Sequence, residues 1–139
     1  KSSRLESKLI DHLPNLDKGL NHFEKNILDI IKMAKNKKIT VVFTTQATMW
    51  KPSLEPQYEK LIMTSGFQNK EAFYSTIAFS RGMDLFNERL LKICKANNIP
   101  CLDLKLPKTT ESFYDDFHFN ESGARLVSNR IFTFLKQKK

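Results

Sequence analysis

The sequence predicts an α/β fold in which helices cover a parallel β-sheet. Three stretches carry apolar residues at helical spacing, and short apolar segments lie between them in the order helix, strand, helix, strand, helix. Both short segments are apolar at consecutive positions, which is typical of strands covered on both faces. The 139 residues correspond to about one domain, so we treat residues 1–139 as part of a single domain.

The first half of the chain contains one clear helix and one clear strand. The polar start includes a possible short helix over Ser2–Asp11, and Gly19 ends this region. A helix then runs from Leu20 to about Asn36, and Ile39–Thr45 follows as a β-branched strand. The helix is predicted from the spacing of its apolar residues, Leu20, Phe23, Ile27, Ile30, Ile31 and Ala34.

The second half repeats this order after an irregular stretch over residues 46–82. Within that stretch, Phe73–Phe79 fits either a strand or a helical turn. A second helix is predicted from Met83 to Asn97, where asparagines end it, and Ile99–Leu104 is the second strand. After a loop, Asn120 is placed to cap a last helix.

Two strands are few for a sheet of this kind. A parallel sheet needs helices on both faces, and sheets average roughly 5–6 strands. The pattern therefore predicts the C-terminal half of a doubly wound domain, with right-handed crossovers between its parallel strands.

Composition excludes several classes of protein. Four glycines form neither a dinucleotide-binding fingerprint nor a P-loop, and two cysteines form no disulfide framework. No apolar run is long enough to cross a membrane, and three scattered histidines have no metal-ligand spacing, so we expect no cofactor and no metal. The net charge of +8 comes largely from lysines near predicted helix ends, where they complement the helix dipole, so we do not expect nucleic acid as a partner.

The loop before the last helix is the strongest candidate for chemistry. Asp115 stands three residues before His118, and aromatic residues flank the histidine. A short loop can bring the carboxylate to Nδ1 of the imidazole and leave Nε2 as a base. The alternative is an Asx turn and helix cap with His118 packed against a neighbouring ring. Asp116 is the rival carboxylate.

Two further candidates follow the first strand, because functional groups gather at the carboxyl ends of parallel strands. Gln46 directly follows that strand and could contact substrate, or its amide could bond loop backbone. Trp50 could line an acyl pocket together with Tyr58 and Phe67, or these rings could only pack the long loop. We expect Asp103, in the second strand, to bond loop backbone.

The segment from Phe113 to Val127 resembles the last block of the SGNH (GDSL-type) hydrolases, in which Asp-x-x-His precedes a helix that starts near a glycine. Met83–Leu104 resembles the helix and final strand of that family, and Ile39–Trp50 resembles its fourth strand. The resemblance covers roughly Leu20 to Leu135, with residues 51–80 as a divergent insert. It implies a three-layer α/β/α flavodoxin-like fold, of which this chain is the C-terminal part.

The resemblance also implies roles for individual residues. His118 would be the general base and Asp115 its orienting carboxylate. The family's Gly-Asp-Ser block and its oxyanion-hole blocks do not occur in the sequence, and they belong before Lys1. Ser65, Ser80 and Ser122, each near a glycine, are not at a strand-to-helix turn with an oxyanion hole, so we expect the nucleophile on a missing N-terminal half.

The expected function is hydrolysis of O-acyl esters, a class that includes O-acetyl esters, through a serine acyl-enzyme. Small molecules, carbohydrate esters and lipid esters all remain open as substrates. The sequence leaves two alternatives, which are a noncatalytic binding module that keeps the SGNH shell and a basic nucleic-acid-binding domain.

Overall fold

The computed structural model describes residues 8–63, 72–104, 106 and 110–137, which form a mixed α/β structure. A 3₁₀ turn over Thr110–Ser112 precedes the last helix. The helices and strands, in chain order, are β1 (Leu9–Ile10), α1 (Asp17–Asn36), β2 (Phe43–Thr44), α2 (Pro56–Glu59), β3 (Phe73–Tyr74), α3 (Thr76–Ala96), β4 (Cys101–Leu102) and α4 (Glu121–Lys136). The predicted α/β class is therefore confirmed.

The two predicted strands pair in parallel, as their order along the chain indicates. Phe43 lies opposite Cys101, and Thr44 lies opposite Leu102. Each ladder is only two residues long, whereas the sequence predicted strands over residues 39–45 and 99–104. A strand is defined by its partner, and the described residues place no further strand beside β2.

A second parallel pair, β1 with β3, was not predicted. Leu9 lies opposite Phe73 and Ile10 opposite Tyr74. The predicted helix over Ser2–Asp11 is therefore wrong for Leu9–Ile10, which alternate between exposed and buried as a strand does. The remainder of that predicted helix, residues 1–7, lies outside the described residues.

Helices α1 and α3 pack together over the strand pair β2–β4. Their shared core contains the side chains predicted from helical spacing, and Phe43 and Cys101 of the strands pack against it. Cys94 lies in this core and is 1% exposed. The central members of this cluster are Ile27, Ile31, Leu90, Ile93 and Cys94.

Helix α3 begins earlier than the sequence predicted. Ser75 caps it, because its hydroxyl accepts a hydrogen bond from the N–H of Ala78 at 3.2 Å, and the helix therefore starts at Thr76 rather than Met83. The ambiguous stretch Phe73–Phe79 is thus a strand followed by a helix start.

Both helix-to-strand connections use the same turn. Lys38 and Asn98 adopt left-handed backbone conformations with φ of 56° and 55°. The next residue in each case, Ile39 or Ile99, donates its N–H to a carbonyl of the preceding helix at 2.9 Å. This closure satisfies the end of the helix and directs the chain into the strand.

Membrane insertion through a helix finds no support in the described part of the chain. None of the helices there is both long enough and apolar enough to span a bilayer.

Candidate functional site

The loop that carries the candidate histidine is closed by its own backbone. Phe113 and Phe119 form an isolated antiparallel bridge, and their rings lie 5.0 Å apart. Between them, the N–H of Tyr114 donates to the carbonyl of His118 at 2.9 Å. The loop is thus a tight antiparallel turn that holds residues 114–118 at its tip.

Asp115 and His118 form the contact that their spacing predicts. His118 Nδ1 lies 2.7 Å from Asp115 Oδ2. The other carboxylate oxygen of Asp115 accepts the backbone N–H groups of Phe117 at 3.0 Å and His118 at 2.8 Å. One carboxylate therefore fixes both the backbone of the turn and the orientation of the imidazole.

The electrostatics of Asp115 keep it ionised. Burial raises the pKa of its carboxyl, but hydrogen bonds from the Phe117 backbone, the His118 side chain and the His118 backbone outweigh burial, so the pKa is lowered. An ionised carboxylate beside Nδ1 favours the tautomer that carries the proton on Nδ1. Nε2 is then the basic nitrogen.

The side chain of His118 is largely exposed to solvent, whereas that of its partner Asp115 is mostly covered. The His118 side chain is 64% exposed and that of Asp115 is 14% exposed. The ring of His118 touches Phe117 with centroids 4.4 Å apart. The Asx turn and the ring contact of the structural interpretation are present. The contact of Asp115 with Nδ1, on which the catalytic interpretation depends, is present as well, and the imidazole points outward and is not packed into the core.

Asp116 has a different role from its neighbour. It is fully buried, and its carboxylate accepts the indole N–H of Trp50 at 3.3 Å and the backbone N–H of Met63 at 3.2 Å. Its backbone carbonyl accepts the N–H of Met49 at 2.9 Å. Asp116 therefore ties the loop after β2 to the histidine loop, and Asp115 is the carboxylate that contacts His118.

The start of α4 supports the same loop from the other side. Asn120 caps the helix as predicted, because its side chain accepts the N–H of Gly123 at 3.0 Å. The backbone N–H of Asn120 donates to the carbonyl of Ser112 at 3.1 Å. A Cβ at position 123 would lie 2.1 Å from that carbonyl oxygen, so Gly123 permits the approach.

A cavity of about 470 Å³, lined by both polar and apolar side chains, lies at the carboxyl ends of β2 and β4. Gln46 and Trp50, both predicted as substrate contacts, line it. His118 is not among its lining residues, so the structure does not bring the three predicted residues to one cavity. The connection between cavity and histidine runs through Trp50, whose indole bonds Asp116.

Two sets of hydrogen bonds at this cavity were not predicted from the sequence. Asn87 exchanges two hydrogen bonds of 2.9 Å with the backbone of Gln46. Thr45 donates its hydroxyl to Asp103 at 3.0 Å and accepts the N–H of Leu104 at 2.7 Å. The Thr45 hydroxyl is one partner of Asp103, and the expected bond from Asp103 to loop backbone stays a prediction. Both arrangements fix the strand ends, and the polar residues after an apolar strand were their only sequence signal.

No described serine approaches the histidine as a nucleophile would. Among the described residues, Nε2 of His118 has no hydroxyl partner, and Ser80 lines the strand-end cavity instead. Ser65 and the aromatic candidate Phe67 lie outside the described residues. Tyr58 packs against the cluster around Trp50.

The part of the chain that the structure describes holds no group of three or more side chains arranged to bind a metal ion. Comparisons of the chain with models of protein families, with curated proteins and with solved structures found no match. The histidine loop and the strand-end cavity are therefore the features of this chain that bear on its function.

Proposed function

We propose that this chain is the C-terminal part of a serine hydrolase of the SGNH type, with a three-layer flavodoxin-like fold, which cleaves O-acyl esters. The observation that carries the proposal is the 2.7 Å contact between Asp115 Oδ2 and Nδ1 of an otherwise exposed His118. This contact fixes Nδ1 and leaves Nε2 accessible, which is the arrangement that a general base needs.

The proposed reaction uses His118 as a proton carrier. Nε2 accepts the proton of a serine hydroxyl while the serine oxygen bonds to the ester carbonyl carbon. The imidazolium then gives that proton to the departing alcohol, which leaves an acyl-serine. Water, activated by the same nitrogen, releases the acid and restores the serine.

Asp115 would support both steps without changing its own charge. Its lowered pKa keeps the carboxylate ionised, so it stabilises the imidazolium that forms during each proton transfer. The backbone N–H bonds to its second oxygen hold it in place, so the imidazole is oriented before substrate arrives.

The proposed reaction also needs a serine nucleophile and oxyanion-hole donors, which the described residues do not supply. The SGNH resemblance assigns them to a preceding polypeptide, the N-terminal half of the same domain. Without them, an isolated His–Asp pair would hydrolyse esters poorly, because oxyanion stabilisation is a major part of the rate.

The proposal is tested by ester hydrolysis in the protein as its source organism makes it. His118→Ala is expected to lower turnover by roughly 10³-fold or more, since base and nucleophile act as a unit. Asp115→Asn is expected to cost less than His118→Ala. His22→Ala is the matched control, because His22 lies exposed on α1, and it should leave turnover unchanged.

The two carboxylates give the test its resolving power. Asp116→Asn disturbs a buried anchor, so its effect should appear as lost stability at a near-normal turnover per folded molecule. If turnover per folded molecule falls more in Asp116→Asn than in Asp115→Asn, the assignment of the orienting carboxylate is wrong. If His118→Ala retains full turnover, His118 is not the base.

A further inference from the structure

A second cavity, of about 290 Å³, lies between the segment that precedes α1 and the first half of α3. Its accessible lining is entirely apolar, in contrast to the mixed lining of the cavity at the strand ends. An open pocket with such a lining favours the apolar part of a ligand. Most of its wall is formed by Leu13, Leu16, Trp50, Tyr74, Phe79 and Phe86.

The aromatic wall of this apolar pocket is held in place by contacts on its far side. Trp50 stacks on Phe79 with ring centroids 5.0 Å apart, and Tyr74 meets Phe79 edge-on. The indole N–H of Trp50 is fixed by buried Asp116. The wall is therefore preorganised, which lowers the entropic cost of binding.

Gly82 leaves room in the pocket. A Cβ at this position would point toward Leu13 and Leu16, with 3.4 Å and 3.9 Å to their methyl groups. Gly82 has no positive φ, so its backbone conformation does not require glycine. The missing side chain preserves space between α3 and the crossing segment.

The apolar pocket adjoins the strand-end cavity. Trp50 and Met83 line both of them. A ligand with a polar part and an apolar chain fits this pair of neighbouring environments, with the polar part among Gln46 and Asp103 and the chain against the rings. The same Trp50 connects both cavities to the histidine loop.

We propose that the apolar pocket is the subsite for an unbranched hydrocarbon chain, the acyl chain of an ester longer than acetate. The assignment of that chain to an ester rests on the function proposed above. The binding itself does not, because it needs neither the serine nor His118.

The test uses the fluorescence of Trp50, the sole tryptophan of the chain. The probes are the methyl esters of straight-chain acids from butyrate to decanoate, each with a terminal bromine that quenches indole on contact. They are uncharged because Asp84, Glu88 and Asp103 line the strand-end cavity and would repel a carboxylate. The Kd for quenching is expected to fall about fourfold per added methylene, which corresponds to roughly 0.8 kcal/mol per buried CH₂, until the pocket is full.

Two variants locate the binding. Gly82→Leu fills the pocket and should weaken binding of the longest esters by about tenfold or more. Gly82→Ala, which suits a helix, should weaken it less and only for the longest esters. Ala96→Leu, at an exposed position of the same helix, is the matched control and should bind as the native chain does.

Two results would overturn the inference. One is a Kd that does not change with chain length, and the other is quenching in Gly82→Ala and Gly82→Leu equal to that of the native chain. Failure of the proposed function is separate, since it would appear as absent ester turnover while the brominated esters still quench Trp50. His118→Ala should bind these esters with unchanged Kd.

Discussion

Gly123 is the position where a single methyl group should disturb the candidate site most. An alanine Cβ there would lie 2.1 Å from the carbonyl oxygen of Ser112 and 3.2 Å from the ring of Phe119. Ordinary contact begins near 3.4 Å, so α4 and the 3₁₀ turn must separate by about 1 Å. The same carbonyl accepts the N–H of Asn120, so the separation also weakens the helix start.

The magnitude follows from opposing terms. Overpacking costs typically about 1–3 kcal/mol, and a weakened N-cap costs about 1 kcal/mol. Replacing glycine by alanine within a helix returns at most about 1 kcal/mol. Gly123→Ala should therefore lower the free energy of unfolding by about 2 kcal/mol, which lowers the urea midpoint by about 1 M.

The matched controls are the helical glycines with room. A Cβ at Gly19 would meet the ring of Phe86 at 3.6 Å, and one at Gly82 would meet the end of Leu13 at 3.4 Å. Both alanine variants should be as stable as the native chain or more stable by up to about 1 kcal/mol. Urea unfolding followed by circular dichroism measures all three. Equal urea midpoints for Gly123→Ala and Gly82→Ala would show that the Ser112 carbonyl does not exclude a side chain at position 123.

Three further outcomes are expected. At pH values above 3.8, the ordinary Asp pKa, the ionised Asp115 should make the native chain more stable than Asp115→Asn. This stability difference should shrink as the pH falls below 3.8, because folding lowers the pKa of Asp115; a difference that grows on acidification would contradict this. Asp116→Ala leaves two N–H donors without their carboxylate and should cost about 2–4 kcal/mol in urea unfolding, with a red-shifted tryptophan emission; an unshifted emission would mean that the indole does not depend on this carboxylate. Burial raises the pKa of Cys94, and burial together with the hydrogen bond that Cys101 donates to Cys94 raises the pKa of Cys101 to about 12. Iodoacetamide at pH 8 should therefore alkylate both thiols far more slowly in the folded chain than in urea, as read by mass; equal rates would show that these thiols are not protected.

The local parts of the candidate site were predictable from the sequence. The bond between Asp115 and His118 joins residues three apart, and the cap from Asn120 to Gly123 has the same separation. Turns and caps of this length depend on a few neighbouring dihedral angles, so residue type and spacing nearly determine them.

The parts that depend on distant partners were not predictable. Asp116 bonds Trp50 across 66 positions and Met63 across 53. Nothing within the sequence of the loop distinguishes this buried anchor from its neighbour Asp115. Which of two adjacent carboxylates turns inward is decided by the packing of the loop after β2.

Strand lengths failed for the same reason. Apolar residues over 39–45 and 99–104 favour strands, but the observed ladder needs a partner at each position and has one at only two. Leu9–Ile10 shows the converse, since a segment with little strand signal pairs with Phe73–Tyr74 because the fold brings them together.

The most direct test of the hydrolase proposal is the intact mass of the protein, isolated from its source organism, after treatment with a fluorophosphonate. Such probes bond covalently to a serine only when a base removes its proton. If His118 is the general base, one adduct is expected, on a serine outside residues 1–139. The rate of labelling should then fall by about a hundredfold or more in His118→Ala. No adduct, or labelling that His118→Ala leaves unchanged, would contradict the claim that His118, held by Asp115, is the general base of a serine hydrolase.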